Sequence, residues 1–198
     1  YPMFLPGGKE QIAGEYQPGW MLLSYGKKVS VSSSLEGYPA ENIVDEDART
    51  AWVAQSNRDM EWAQVDLQRL SSIHAIQVNF DEYGANQKGA VSGVYQSYLI
   101  YASVNGEDWS LVVDYGTKKT DTPHDYIEFE EPFKARYIKL QNKEYMVSEN
   151  FSVRDLRIFG KGQGSTPRAV NDFTVERDEA DPCKARLCWE AVPDAQGY

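Results

Sequence analysis

Residues 1–182 contain no cysteine; the chain's two cysteines are Cys183 and Cys188. A disulfide framework is therefore excluded from the main part of the chain, which must depend on a hydrophobic core. Basic residues are also scarce, with 20 Lys plus Arg against 30 Asp plus Glu and a formal net charge of -10. Nucleic acids and anionic bilayers are bound mainly through Lys and Arg, so neither is an expected partner. A neutral ligand such as a sugar is indifferent to that balance. No apolar run approaches the roughly 20 residues that span a bilayer. The first residues, Tyr1-Pro2-Met3, carry neither a basic n-region nor a cleavable apolar segment. The expectation is a slice of a longer polypeptide without a signal peptide.

Catalytic motifs are missing too. No G-x-S-x-G, H-E-x-x-H or phosphate-binding glycine loop occurs. Glycoside hydrolysis needs two carboxyl groups held roughly 5–9.5 Å apart, and no spacing singles out such a pair. No catalytic residue is expected in this chain. His74 falls in an alternating run and His124 in a polar loop, where a lone histidine is structural or solvated.

What is present is a β pattern. Aromatics make up 13% of the 198 residues, including 13 tyrosines and 5 tryptophans, enough to build a core. Short alternating runs bounded by turn residues occur at 28–32, 62–67, 73–80, 97–103, 110–114, 125–129, 136–140 and 153–159. Period-two patterning with turns such as Asn105-Gly106 predicts an all-β fold of antiparallel strands, a sandwich or barrel. No long segment carries apolar residues at helical spacing. Residues 1–23 read as an irregular lead-in from an upstream domain, packed on the fold through Trp20 and Leu22. The Gly- and Ser-rich stretch 161–167 reads as a linker, and 168–198 as part of a second β-domain with strands at 169–176 and 185–192.

The stretch Asn42-Ile43-Val44-Asp45-Glu46-Asp47-Ala48-Arg49-Thr50-Ala51-Trp52 concentrates carboxylates, a hydroxyl and carbonyls in one turn. Calcium takes six to eight oxygen ligands at roughly 2.3–2.6 Å, and such a mixture suits it. The segment resembles the N-A-(I/V)-D-G-(D/N)-x-x-T-x-W loop of discoidin-like domains, which include coagulation-factor C-type domains and family 32 carbohydrate-binding modules. Further motifs follow in family order. Gly26-Lys27-Lys28-Val29-Ser30-Val31-Ser32 resembles the entry strand, and Trp62-Ala63-Gln64-Val65-Asp66-Leu67 the W-x-x-V-D-L strand. Tyr101-Ala102-Ser103-Val104-Asn105-Gly106-Glu107-Asp108-Trp109, Ala135-Arg136-Tyr137-Ile138-Lys139-Leu140 and Asp155-Leu156-Arg157-Ile158-Phe159-Gly160 match three more.

The resemblance covers 24–160 and implies an antiparallel jelly-roll β-sandwich of the galactose-binding-domain type. It implies a structural calcium held by the carbonyls of Asn42, Asp47 and Arg154, the carboxylates of Asp45 and Asp155, and Thr50. Two departures stand out: Glu46 replaces the usual glycine and Asp155 a longer glutamate. By the same resemblance Trp52, Trp62 and Trp109 pack the sandwich, and Arg136 is structural beside a carboxylate or an aromatic. The sugar-binding members use loops at one end of the sandwich. Here those loops, 81–95 with 54–59, 118–124 and 141–151, offer Tyr83, Tyr95, Tyr145 and Phe151 as stacking platforms, and Arg58, Asp81, Glu82, Asn86 and Lys88 as hydrogen-bonding groups. Val53-Ala54 follows Trp52 where some relatives carry histidine, which leaves galactose specificity open.

The tail 168–198 resembles the opening of a fibronectin type III domain, with Trp189 before Ala195-Gln196-Gly197-Tyr198. The lead-in resembles the segment after the propeller of family 43 glycoside hydrolases. Together these imply a non-catalytic module of a secreted, periplasmic or cell-surface bacterial glycoside hydrolase, directing a catalytic domain in cis to a plant or host polysaccharide. The alternatives are a structural spacer and a protein- or phospholipid-binding discoidin domain. The acid excess and the missing disulfide rank the phospholipid reading lower.

Overall fold

A computed structural model of the chain describes residues 20–85, 93–162, 173–178, 180–181 and 183–190. Two compact units divide it, residues 1–163 and 164–198.

In the first unit the strands run in the order β1 (Met21–Leu22), β2 (Lys28–Val31), β3 (Trp52–Val53), β4 (Trp62–Phe80), β5 (Gln96–Ser103), β6 (Ser110–Tyr115), β7 (His124–Tyr145) and β8 (Ser152–Lys161). A short 3₁₀ turn, Ala40–Val44, precedes β3. All pairings are antiparallel, in the order β1-β8-β4-β7-β5-β6, with β2 on β4 and β3 on β8. The fold is an all-β jelly-roll-like sandwich, as the alternation and the family resemblance lead one to expect.

The sequence pattern predicts strands at 62–67 and 73–80, and again at 125–129 and 136–140. Each pair is one long strand, β4 and β7, bent at a common corner. The register between them breaks between Asp66 and Ser71. Gln68 adopts φ 67°, and its N–H donates to Asp66 Oδ1 at 2.7 Å, which turns the chain without ending the strand. Arg136 locks the same corner, its Nε and a terminal nitrogen donating to the two Asp66 oxygens at 2.8 and 2.9 Å. Its guanidinium also lies 4.8 Å from the Tyr137 ring centre. Arg136 thus has both the carboxylate and the aromatic neighbour expected of a structural residue.

Before the corner, Ala63, Val65 and Leu67 of β4 point inward; after it Ile73, Ile76, Val78 and Phe80 do so. An irregularity between Ile73 and Ala75 shifts the inward phase from odd-numbered to even-numbered residues. Ile100, Ile138, Leu140, Leu156 and Ile158 complete the middle of the core. Backbones approach closely at Gly160, where an added Cβ would meet the Ser72 carbonyl oxygen at 2.0 Å. In the β5–β6 hairpin, Gly106 supplies φ 83° while Asn105 Oδ1 accepts from Glu107 N and Asp108 N, both at 2.9 Å.

Trp52 is wholly buried, and its indole N–H donates to Ser33 O at 2.9 Å. Trp62 and Trp109 differ from the expectation of core packing. Both are half-buried and flank Lys139, whose Nζ lies 3.7 Å from the Trp109 ring centre and 5.7 Å from that of Trp62. Their register explains it: Trp62 alternates out of phase with Ala63 and Val65, so it faces outward. Trp20 stacks on His74 at 5.2 Å, and β1 adds the lead-in to β8 through Met21 and Leu22.

In the second unit β9 (Thr174–Arg177) pairs antiparallel with β10 (Ala185–Cys188). Phe173 stacks on Trp189 at 6.3 Å, and Cys183 and Cys188 are free and exposed. These strands fall within the two expected at 169–176 and 185–192 apart from Arg177; residues 163–172 and 191–198 lie outside the described residues.

The corner gives a pH test. Hydrogen bonds from Arg136 hold the Asp66 carboxyl below its ordinary value. A carboxyl depressed on folding stabilises the fold above its unfolded pKa, and that contribution disappears as pH falls through the folded value. The melting-temperature difference between wild type and Asp66→Asn should be largest near neutrality and close as pH drops below about 4. Circular-dichroism melts across that range measure it.

Candidate ligand-binding loops and cation turn

Because β4 bends back on itself, both of its ends reach the same pole of the sandwich. Asn57, ahead of β4, donates from Nδ2 to the carbonyls of Tyr145 at 3.3 Å and Ser148 at 2.8 Å. Asp81, just after β4, accepts from the Tyr145 hydroxyl through its carbonyl. Ala54 N donates to Phe151 O at 2.8 Å, and Phe151 N to Ser56 O at 2.9 Å. Loops 54–61, 81–85 and 146–151 therefore meet there, joined by loop 32–39 through Ser33–Glu61 and Tyr38–Tyr83 contacts.

Beneath the loops lies a floor of interlocked rings. Phe151 contacts Trp52, Phe80 and Tyr145 at centroid distances of 5.8, 6.0 and 5.3 Å. Phe80 also meets Tyr98 at 5.3 Å. Phe151 is 0% exposed and Tyr145 1%, which corrects the expectation that they are stacking platforms. A ring with no open face cannot receive a sugar. Burial also pushes the Tyr145 phenol well above its ordinary pKa. Sequence position misled here because the loop that carries Phe151 folds back into the core.

Tyr83 behaves differently. It is half-buried and meets Tyr38 edge to face at 4.9 Å and 70°. Tyr38 was not among the expected site residues. Its available clue is an aromatic inside a Gly37-Tyr38-Pro39 turn, where Gly37 takes φ 86°. Glu82 is exposed beside this pair. Asp81 is not a free hydrogen-bonding group, because its carboxylate forms an ion pair with Arg154. Asn86 and Lys88 lie outside the described residues.

Arg58 is exposed at the rim of an open depression of about 540 Å³ shared with Gln55, Asp59 and Met60. Glu61 forms part of its wall. It accepts hydroxyl hydrogens from Ser32, from Ser33 at 2.8 Å and from Ser56 at 2.7 Å. Glu61 therefore ties loop 32–39 to loop 54–61, and its carboxylate is satisfied from within the protein.

The acidic turn after Ala40–Val44 is closed by its own side chains. Asp45 Oδ1 accepts Asp47 N at 2.8 Å, and the Thr50 hydroxyl lies 2.8 Å from Asp45 Oδ2 and 2.9 Å from Asp47 O. Asn42 Nδ2 donates to Ala51 O at 2.8 Å. Asp47 turns its carboxylate outward to Arg49, whose hydrogen bonds lower its pKa to about 2. Glu46, at the family's glycine position, takes φ 62°.

On β8, Asp155 is 3% exposed. Its Oδ2 accepts Asn79 Nδ2 at 2.8 Å, and its Oδ1 has no hydrogen-bond donor. The nearest positive charge is Arg157, 3.9 Å away. Among the described residues no three or more His, Cys, Asp or Glu side chains gather to hold a metal. A buried carboxylate oxygen lacking a donor is nonetheless costly, and carboxylate, hydroxyl and carbonyl donors are the chemistry of a hard cation. Asp155 Oδ1 is thus a buried acceptor without a hydrogen-bond donor.

A β-sandwich with irregular loops gathered over a packed aromatic floor has the architecture of a binding module. The family model for the F5/8 type C domain matches residues 28–156, and the chain belongs to that family. Rat (Rattus norvegicus) lactadherin is 33% identical over 110 residues, 52% of this chain and 25% of that protein. The chain thus spans about a quarter of the length of that relative. Among solved structures, chitosan-binding module 1 of a Paenibacillus sp. IK-5 chitosanase/glucanase superposes with a TM-score of 0.59 at 20% identity, covering 71% of this chain and 99% of that one. The family 32 module of Clostridium perfringens NanJ, solved with galactose, gives 0.57 at 17% identity, with 71% and 98% covered. At these identities the likeness is one of fold.

The floor and the loop tyrosines should separate in their effects on stability. Phe151→Ala should cost about 3–5 kcal/mol of unfolding free energy, the range for removing a buried aromatic. Tyr83→Ala should cost well under half of that. Urea unfolding of both variants measures the difference.

Proposed function

We propose that this chain is a non-catalytic carbohydrate-binding module whose sugar rests on the Tyr38–Tyr83 pair at the loop pole. One observation carries the reading: two half-buried tyrosines are brought into contact from loops 45 residues apart in sequence. A sugar ring needs an apolar face to lie on and polar groups around it, and Glu82 and Arg58 are exposed in the neighbouring loops. The chitosan and galactose named for the structural relatives favour a sugar as the ligand. In the parent protein the module accompanies a glycoside hydrolase, of family 43 by its lead-in, and directs it to a plant or host polysaccharide outside the cell. The tail opens a fibronectin type III domain.

Calcium is the structural ion of this reading. Asp155 and Asp45 would supply carboxylates, Thr50 its hydroxyl, and Asn42, Asp47 and Arg154 carbonyls. The ion would bridge the turn to β8 and take no part in chemistry.

Two measurements test these readings. A glycan array should find a ligand, with a Kd on the order of 0.1–1 mM, or about -4 to -5.5 kcal/mol. Tyr38→Ala and Tyr83→Ala should each weaken it by roughly 1–3 kcal/mol, the worth of a buried apolar side chain. Unchanged binding in both variants puts the site elsewhere. No binding to any glycan, with tight docking onto the catalytic domain, makes the module a spacer. For the ion, calcium at ten times its Kd should add about 1.4 kcal/mol of stability by mass action. Chelation should remove that increment, and a melting temperature indifferent to both would dispose of the ion.

A further inference from the structure

Glu46 and Arg157 lie 111 residues apart, yet they form a two-point ion pair. Arg157 Nε donates to Glu46 Oε1 at 3.0 Å, and a terminal nitrogen lies 2.9 Å from Glu46 Oε2. Both side chains are about 29% exposed, so solvent screens the pair only partly. The same terminal nitrogen is the cationic atom 3.9 Å from the donorless Asp155 Oδ1. Glu46 reaches this position from the left-handed region, which favours glycine. The backbone of a glycine site is retained here, and the side chain it carries is spent on Arg157.

We infer that Arg157 is a built-in counter-cation at this site: it ties the 45–50 turn to β8 through Glu46 and competes with a metal ion for Asp155. The inference rests on the cation reading given above for the metal, and on the ion pair alone for the tether. Two carboxylates at one place are neutralised by one guanidinium that is always charged. A divalent ion approaching Asp155 Oδ1 meets a positive charge already there, and it finds Glu46 occupied. The turn stays fastened without metal, and the metal is held less tightly than this donor set would otherwise hold it.

The test uses the full chain and calcium alone. Arg157→Gln removes the competing charge and frees Glu46. Calorimetry should then find calcium bound about tenfold or more tighter than in wild type, since a like charge close to the ion is gone. Glu46→Gln leaves the guanidinium beside Asp155 and should bring no such gain. In chelator, the backbone amides of Asp47 and Thr50 should exchange hydrogen faster in both variants than in wild type, because the tether is cut in each. If Arg157→Gln does not fold, Arg157→Lys keeps the charge but lacks the planar fork. That variant should loosen the turn without raising calcium affinity. Equal calcium affinity in wild type and Arg157→Gln overturns the competition. Unchanged amide exchange in the variants overturns the tether. No calcium binding by any of them removes the metal site itself, and the competition with it.

Discussion

The shared corner of β4 and β7 is the constraint on which the rest depends. Two strands of 19 and 22 residues turn together, and their pairing resumes at Ser71–Ala135 after breaking at Asp66–Tyr137. A strand that turned alone would leave a row of backbone donors and acceptors without partners, at considerable cost when buried. Gln68 absorbs the strain in one positive-φ residue, and the Asp66–Arg136 pair holds the strands in step. The guanidinium fork suits this role because it meets both carboxylate oxygens in one plane.

From the corner follows the division between rigid and adaptable parts. Folding β4 back brings residues 54–61 and 81–85 to one pole, where they share partners in Tyr145 and Phe151. The rings under the loops are fully enclosed, and such packing does not deform gradually. Specificity then rests on what projects above that floor. Tyr38, Tyr83, Glu82 and Arg58 are among the described side chains that do so, while Asp81 is tied to Arg154 of β8 and Glu61 holds two loops together. Acidic residues abundant in sequence are thus fewer at the surface than their number suggests.

The acidic balance of the chain reads differently once partners are known. Lys118 pairs with Asp125, which also accepts the Tyr98 hydroxyl at 2.7 Å, and Lys143 pairs with Asp59 at 2.7 Å. Arginines answer Asp47, Asp66, Asp81 and Glu46. Lys139 instead sits between two indoles, a cation held by ring faces, and burial lowers its pKa. Many of the described basic residues are thus engaged by carboxylates or aromatic rings.

How much of this was legible in the sequence depends on how local the information is. Period-two alternation is a property of neighbouring residues, so the all-β class and the position of nearly every strand could be read directly. The turn at Asn105-Gly106 and the acidic stretch 42–52 were legible for the same reason. That 62–67 and 73–80 are one strand was not, because Gln68 gives no sign that its φ is positive. Phe151 and Tyr145 look like loop aromatics until the loop's path is known, and burial is a property of that path. Tyr38 gains a role only from Tyr83, and Glu46 only from Arg157, 111 residues further on. The sequence by itself determined which segments extend and which faces are apolar. The tertiary structure alone decided which polar side chains cancel one another and which loop rings meet, because those outcomes depend on distances between residues that the chain keeps far apart.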